Sequence, residues 1–390
     1  MFVAGIVAFT AASALCGLAP TIGALILFRA LQGVAAATLM SVPLAILTRA
    51  FPPDERGRAL GLYAITISVG LALGPSLGGL LAASFGWRSA FFINLPVGAA
   101  AALLAWRRLP DLKGAGGRMD FAGASLAFAG LASFLLFVTR VQQEGFSAAA
   151  WSLLALALSS ASGFLWVEGR RSEPMVDLRI FATLPLTFGA LAALLNFMSQ
   201  YVVVFATPFM LQRVLHEGTA RVGLVMTAFP LAVLCVAPFA GALSDRIGTA
   251  GPALAGCSLC CAACAGLALT AGASSPVRLM GWLALFGVGT GMFQSPNNSA
   301  VMGSAPRKDL GVVSSLLGTM RTVGMVLGVA AAGAVLYASV SPSVLLLPEV
   351  RGEEALAFLR GIRWSYAAGA IFAAAAALLS LVRGRTRKPE

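Results

Sequence analysis

Charge is what this chain has least of. Only 11% of its 390 residues are charged, against about a quarter in soluble domains, which excludes a water-soluble fold with an ordinary polar surface. Histidine is nearly missing as well: His216 is the single copy, alone in an external loop, which leaves His-centred catalysis and His metal binding without support. The 15 acidic residues all fall at the edges of apolar runs or between them. No nucleophile–base pair emerges, and the residues point away from an enzyme.

The six cysteines imply no disulfide framework, because all of them lie inside apolar runs. Cys257, Cys260, Cys261 and Cys264 form CxxCCxxC, a spacing that tempts a metal reading. Their side chains lie along one helical stripe, and one straight helix cannot wrap four thiolates tetrahedrally around zinc. They read as small packing residues, and no metal is expected.

What the chain has in abundance is apolar length. Runs of about 18 to 28 residues recur, which suits a hydrocarbon layer roughly 30 Å thick. Their approximate spans are 2–19, 21–47, 59–83, 88–106, 121–139, 149–167, 184–211, 221–242, 250–272, 279–299, 311–338 and 364–382. Backbone groups in lipid must be satisfied within each segment, so these twelve runs predict helices and an all-α polytopic membrane protein. The first run lacks a basic leader and is followed by many equals, so it does not read as a signal peptide. The gap 339–363 is the longest external loop, and its AFLRGIRW stretch is expected to form a short interfacial helix.

The net charge of +12 raises the question of nucleic acid, but its distribution answers differently. With Met1 inside, twelve crossings place 17 basic residues in cytoplasmic segments and eight in external ones, leaving Arg29 and Arg321 within spans. That excess is the orientation signal of an inner-membrane protein with both termini cytoplasmic. The Arg383–Lys388 tail is expected to meet anionic lipid headgroups. No nucleic-acid partner is expected.

Two residue groups stand out inside the spans. Arg29 sits mid-span and needs protein or water around it, because an arginine at bilayer depth costs a few kcal/mol or more. It is read as shaping a proton path together with Gln32 or as making a structural hydrogen bond, snorkelling to the membrane face being the other reading. Arg321, the other mid-span charge, has two open readings: proton path, or a side chain reaching back to the cytoplasmic face. Asn196, Gln200 and Tyr201 share one broad helix face, while Gln294, Asn297 and Asn298 surround Pro296. Amides inside membranes point to a cavity or to another helix. They are expected to line a substrate path with Phe197 and Phe293 as apolar walls, interhelical bonding being the other reading.

Several ordered motifs carry a family resemblance. They are ILFRALQGVAAAT at 26–38, GLALGPSLGG at 70–79, GWRSAFFINLPVG at 86–98, MDFAG at 119–123, EPMVDLRIF at 173–181, GALSDRIG at 241–248, FQSPNNSAVMG at 293–303 and GTMRTVGMVLG at 318–328. Together they resemble the major facilitator superfamily, specifically its fourteen-helix drug:proton antiporter branch of the EmrB/QacA type. The resemblance implies alternating access and proton-coupled efflux of small lipophilic or cationic compounds, with no cofactor beyond the proton gradient. Partners so implied are a small-molecule substrate, protons and membrane lipid, with an adaptor protein left open. It also assigns a gating role to Gly70, Gly74, Pro75, Gly78 and Gly79, and a cytoplasmic latch to Gly241, Asp245, Arg246 and Gly248.

Measured against that branch, the motifs arrive two helices early and the first GxLxDRxG loop is missing. The expected organisation is a partial N-terminal bundle at 1–106, a linker region with two extra helices at 107–183, and a six-helix C-terminal bundle at 184–390. Either the true start lies upstream of Met1, which is the favoured reading, or this is a short form. In this branch the first helix usually supplies an acidic residue for proton coupling, and no span here holds one. A cavity with Arg29 and Arg321 but no carboxylate favours neutral or anionic cargo, so export of a specific metabolite is the first alternative. A non-transporting remnant or scaffold is the alternative of another class.

Overall fold

A computed structural model describes residues 2–50, 66, 70, 74, 77–109, 120–144, 147–171, 183–272, 275–304, 310–340 and 350–386. Among the described residues the regular structure is helical. The helices are α1 (Phe2–Leu18), α2 (Ile22–Ala50), α3 (77–85), α4 (Ser89–Phe92), α5 (Asn94–Arg108), α6 (Phe121–Glu144) and α7 (Ala148–Arg170). They continue as α8 (Leu184–Phe209), extended by a π-helical turn at Met210–Val214, then α9 (Thr219–Met226) and α10 (Ala228–Ile247). The last four are α11 (Ala250–Thr270), α12 (Pro276–Gly303), α13 (Leu310–Ser339) and α14 (Gly352–Thr386).

Ten segments of the described chain are long and apolar enough to cross a membrane, and α1 adds a shorter apolar helix of 17 residues. The predicted run at 59–83 falls largely outside the described residues. Large apolar side chains face outward along these helices, among them Ile22, Trp106, Phe128, Phe239 and Leu269, each more than two-thirds exposed. Such a surface is unstable in water and matched to hydrocarbon. The protein is an all-α, multi-pass membrane protein.

Two predicted details change. AFLRGIRW is not a separate interfacial helix but the front of the 35-residue α14, because its Phe358, Ile362 and Tyr366 continue one buried helical stripe. The predicted run 221–242 breaks at Thr227 into α9 and α10, ahead of Pro230.

The chain separates into two compact units. One comprises 1–117 with 218–227; the other comprises 118–217 with 228–390. In the first, α1 packs on α2, α4 and α5. A polar seam holds it: Ser13 donates to the Phe91 carbonyl at 3.0 Å, and Asn94 donates to the Ser13 hydroxyl at 3.0 Å. Arg88 closes the α1–α2 turn through the Ala19 carbonyl at 3.1 Å and stacks over Trp87.

In the second unit α8 lies against α12, α13 and α14, while α11 packs on α12 and α14. Its core mixes small side chains with Phe286, Phe293, Phe358 and Tyr366. Small residues let membrane helices approach closely where lipid offers no hydrophobic drive. The buried Tyr366 hydroxyl is satisfied by Thr207 of α8 at 2.9 Å. Helices α6 and α7 form a hairpin packed on each other, with α6 also reaching α13. Asp120 caps α6 by accepting from the Gly123 amide at 2.8 Å and pairs with Arg171 beyond α7 at 2.9 Å.

Candidate functional site

Arg29 and Gln32 stand one turn apart on α2, a spacing that puts both on one face. The Arg29 guanidinium donates to Gln32 Oε1 at 2.9 Å and lies 5.8 Å from the centre of the Phe91 ring. Gln32 is buried, and its Oε1 also accepts weakly from the Cys16 thiol at 3.8 Å. Arg29 and Gln32, read together from the sequence, are thus hydrogen-bonded to each other. Phe91, from the 86–98 motif, and Cys16, which no motif marked, complete a small network.

The glycine motif is described only in part, and Pro75 lies outside the described residues. Among the described residues, a Cβ at Gly70, Gly74 or Gly78 would meet no atom within 4 Å. Gly79 differs. A Cβ there would come within 3.1 Å of the Gly223 Cα and 3.2 Å of the Thr219 carbonyl of α9. Backbone contact at that range admits no larger side chain without displacement.

The GALSDRIG segment forms the last turns of α10. Gly248 follows with φ of +86°, a left-handed conformation that ends the helix and favours glycine. Gly241 faces Ser295 of α12, and Ser244 is buried. Asp245 and Arg246 point outward, and among the described residues no ion pair engages either.

The amide groups divide. Gln294 of α12 donates to Gln200 of α8 at 3.3 Å, and Tyr201, half-buried, stands next to Gln200. Arg321 of α13 lies within electrostatic reach of the Tyr201 hydroxyl. Phe197, also half-buried, sits on the α8 face between Gln200 and Tyr201. Gln200 and Gln294 of two helices therefore meet next to Tyr201 and Phe197 of α8.

The remaining predicted path residues go elsewhere. Phe293 has no exposed surface and packs with Ala192, Ala253, Cys257 and Ala376, so it is core rather than wall. Asn196 is fully buried and donates to the Cys260 sulfur at 3.8 Å. Asn297 is fully buried too and donates to the Gly189 carbonyl at 3.0 Å. Both do the interhelical bonding that was the second reading. Asn298 faces outward. The amides split this way because Pro296 and the helical twist turn consecutive residues to different neighbours.

Arg383 was placed in a headgroup-facing tail, and the structure corrects that. It is 4% exposed and donates to Asn297 Oδ1, which ties α14 to α12 and, through Gly189, to α8. Ala373, Ala376, Ser380 and Arg383 recur at helical spacing and are all buried. That stripe was the signal in the sequence.

The Major Facilitator Superfamily sequence profile matches residues 1–329 and again 189–390. The chain belongs to the major facilitator superfamily. It is 32% identical over 335 residues to the riboflavin transporter RibZ of Clostridioides difficile, covering 85% of this chain and 72% of that protein. It is 32% identical over 348 residues to the multidrug resistance protein Stp of Mycobacterium tuberculosis, covering 88% of this chain and 64% of that one. The chain thus matches less than two-thirds of Stp's length. An auto-inhibited POT family peptide transporter has a similar fold, with a TM-score of 0.66 at 18% identity, covering all of this chain and 83% of that one. The named relatives in this superfamily are transporters and not enzymes.

Proposed function

We propose that this transporter is an exporter of the fourteen-helix drug:proton antiporter branch, working by alternating access and driven by the proton gradient. Its cargo is a small lipophilic compound. The observation that carries this reading is the Gln200–Gln294 pair at 3.3 Å next to Tyr201. Polar side chains at mid-span face a cavity or a partner helix, and the half-buried Tyr201 and Gln294 leave part of this group open. Phe197 supplies an apolar wall. A site of few polar groups on an apolar lining suits drug-sized ligands.

Gly79 against Gly223 supports the gating role of the glycine motif, since a contact this close can hold in one state and open in another. Proton coupling rests on the branch resemblance. Orientation with both termini cytoplasmic, in the inner membrane, rests on the basic-residue asymmetry.

The test is dye accumulation in cells stripped of their own pumps. Expression of this chain lowers ethidium accumulation, and an uncoupler restores it. Unchanged accumulation with correct membrane insertion would sink the export reading and favour a non-transporting role.

A further inference from the structure

We propose that a groove between the first turn of α11 and the last turns of α14 is a seat for an anionic glycerophospholipid of the surrounding bilayer. It takes the phosphate end of the lipid and the start of one acyl chain. The seat stands whether or not the protein exports dyes.

Shape comes first. Ala250, Gly251 and Leu254 of α11 form one wall and Ser380, Leu381 and Gly384 of α14 the other, around about 260 Å³. Drug-sized ligands occupy cavities of roughly 300–1,000 Å³, so this groove suits a section of an elongated molecule. Gly384 brings the two helices together at one end, since a Cβ there would come within 3.0 Å of the Ala250 Cβ. Gly251 leaves the groove open: among the described residues, a Cβ there would meet nothing within 4 Å. Leu381 shares the exposed outer face of α14 with Ile371 and Leu378. The groove therefore opens toward hydrocarbon.

Charge comes second. Arg385, Arg387 and Lys388 follow Gly384 in the chain, and four residues span at most about 14 Å. On the other wall the exposed Arg246 precedes Ala250 by four residues. Across the two flanks, 245–249 and 385–390, these four bases stand against the acids Asp245 and Glu390. Arg383 is not one of them, because it turns inward to Asn297. The wall of α11 adds its own positive end. Backbone N–H groups in the first turn of a helix have no acceptor within it, and two of them belong to the groove residues Ala250 and Gly251. Thr249 makes no side-chain cap there, and Pro252 has no N–H. A phosphate suits such a helix start.

Shape and charge together select the occupant. An apolar groove open to hydrocarbon, with a surplus of positive charge at its mouth, complements an acyl chain that carries a negative headgroup. A lipid without net charge gains only the contact with the walls. A second copy of this chain, docking through the same patch on both molecules, would bring its own basic tail to the same place, and the like charges repel.

The experiment titrates the full 390-residue chain, in detergent micelles, with dioleoyl phosphatidylglycerol or dioleoyl phosphatidylcholine and counts retained lipid by native mass spectrometry. Phosphatidylglycerol should bind with a Kd at least about tenfold lower than phosphatidylcholine, equal to about 1.4 kcal/mol. Gly251→Leu fills the open space without meeting a neighbour. It should bring the two Kd values to within about twofold of each other and leave the melting temperature in phosphatidylcholine unchanged. Gly251→Ala should weaken phosphatidylglycerol by a smaller factor, and it decides the matter if the leucine variant is unstable. Replacing Arg385, Arg387 and Lys388 together by Gln should weaken phosphatidylglycerol and leave phosphatidylcholine alone. Equal binding of the two lipids by the unaltered chain overturns the proposal. So does phosphatidylglycerol binding that the tail replacement weakens but neither Gly251 variant touches, which would be attraction to the tail alone. Displacement of the lipid by inorganic phosphate at constant ionic strength would make this a free-phosphate site, and a changed oligomeric mass in Gly251→Leu would make it an interface between copies; either result sinks the lipid seat.

Discussion

Arg383 donates a hydrogen bond to Asn297, joining the last helix of the second unit to α12 one residue past Pro296. Asn297 passes the connection on to α8 through the Gly189 carbonyl. Hydrogen bonds to charged groups contribute about 1.5–3 kcal/mol, and this one is out of reach of water. Arg383→Met removes it while keeping most of the side-chain volume. The melting temperature of the detergent-solubilised protein should fall by several degrees, with Arg383→Lys intermediate. An unchanged melting curve for Arg383→Met would show that the arginine holds nothing.

Gly79 and Gly78 are neighbours in sequence with different surroundings. A Cβ at Gly79 meets Gly223 at 3.1 Å, whereas one at Gly78 meets nothing within 4 Å. Gly79→Val should abolish dye export with normal membrane insertion, while Gly78→Ala should retain most of it. Equal activity of the two variants would remove the argument for a close contact at Gly79.

Asp120 does two things at once, capping α6 and pairing with Arg171. Its side chain is 5% exposed and that of Arg171 is 41% exposed, so solvent screens the pair from one side. Asp120→Asn keeps the cap and loses the ion pair, costing under about 1 kcal/mol. Asp120→Ala loses both and costs about 1–2 kcal/mol. Chemical denaturation in mixed micelles separates them; a larger effect for Asn than for Ala would contradict this assignment.

Arg29 and Gln32 share a 2.9 Å bond on α2, with the Phe91 ring beside the guanidinium. Arg29→Lys keeps the charge but loses the planar fork that meets both an amide and a ring face. Uncoupler-sensitive dye export should drop at least about tenfold in Arg29→Leu and by a smaller factor in Arg29→Lys. Full export in Arg29→Leu would exclude a part for this network in transport.

Much of the architecture was legible before any coordinates. Apolar runs of membrane length announce helices because lipid leaves the backbone no other partner. The Arg29–Gln32 bond was readable too, since a three-residue spacing puts two side chains on one face. The Gln200–Gln294 contact was only half readable: each amide was conspicuous in its run, but their meeting depends on how α8 and α12 cross. Arg383 was misread because it precedes Arg385, Arg387 and Lys388, and a basic cluster after an apolar run usually lies in the headgroups. Its alignment with Ala373, Ala376 and Ser380 was the better guide.

By itself the sequence determined that this protein lives in lipid and is helical, and its ordered motifs resembled those of the major facilitators. The first two follow from composition and local spacing, which the backbone's need for hydrogen bonds converts directly into helices. Only the tertiary structure decided which polar residues bond to other helices and which stand together at one place. Asn196, Asn297 and Arg383 went to the first group, and Gln200, Tyr201 and Gln294 to the second. The physical reason is that a helix presents residues in every direction, and its neighbours, not its own sequence, choose which of them meet protein.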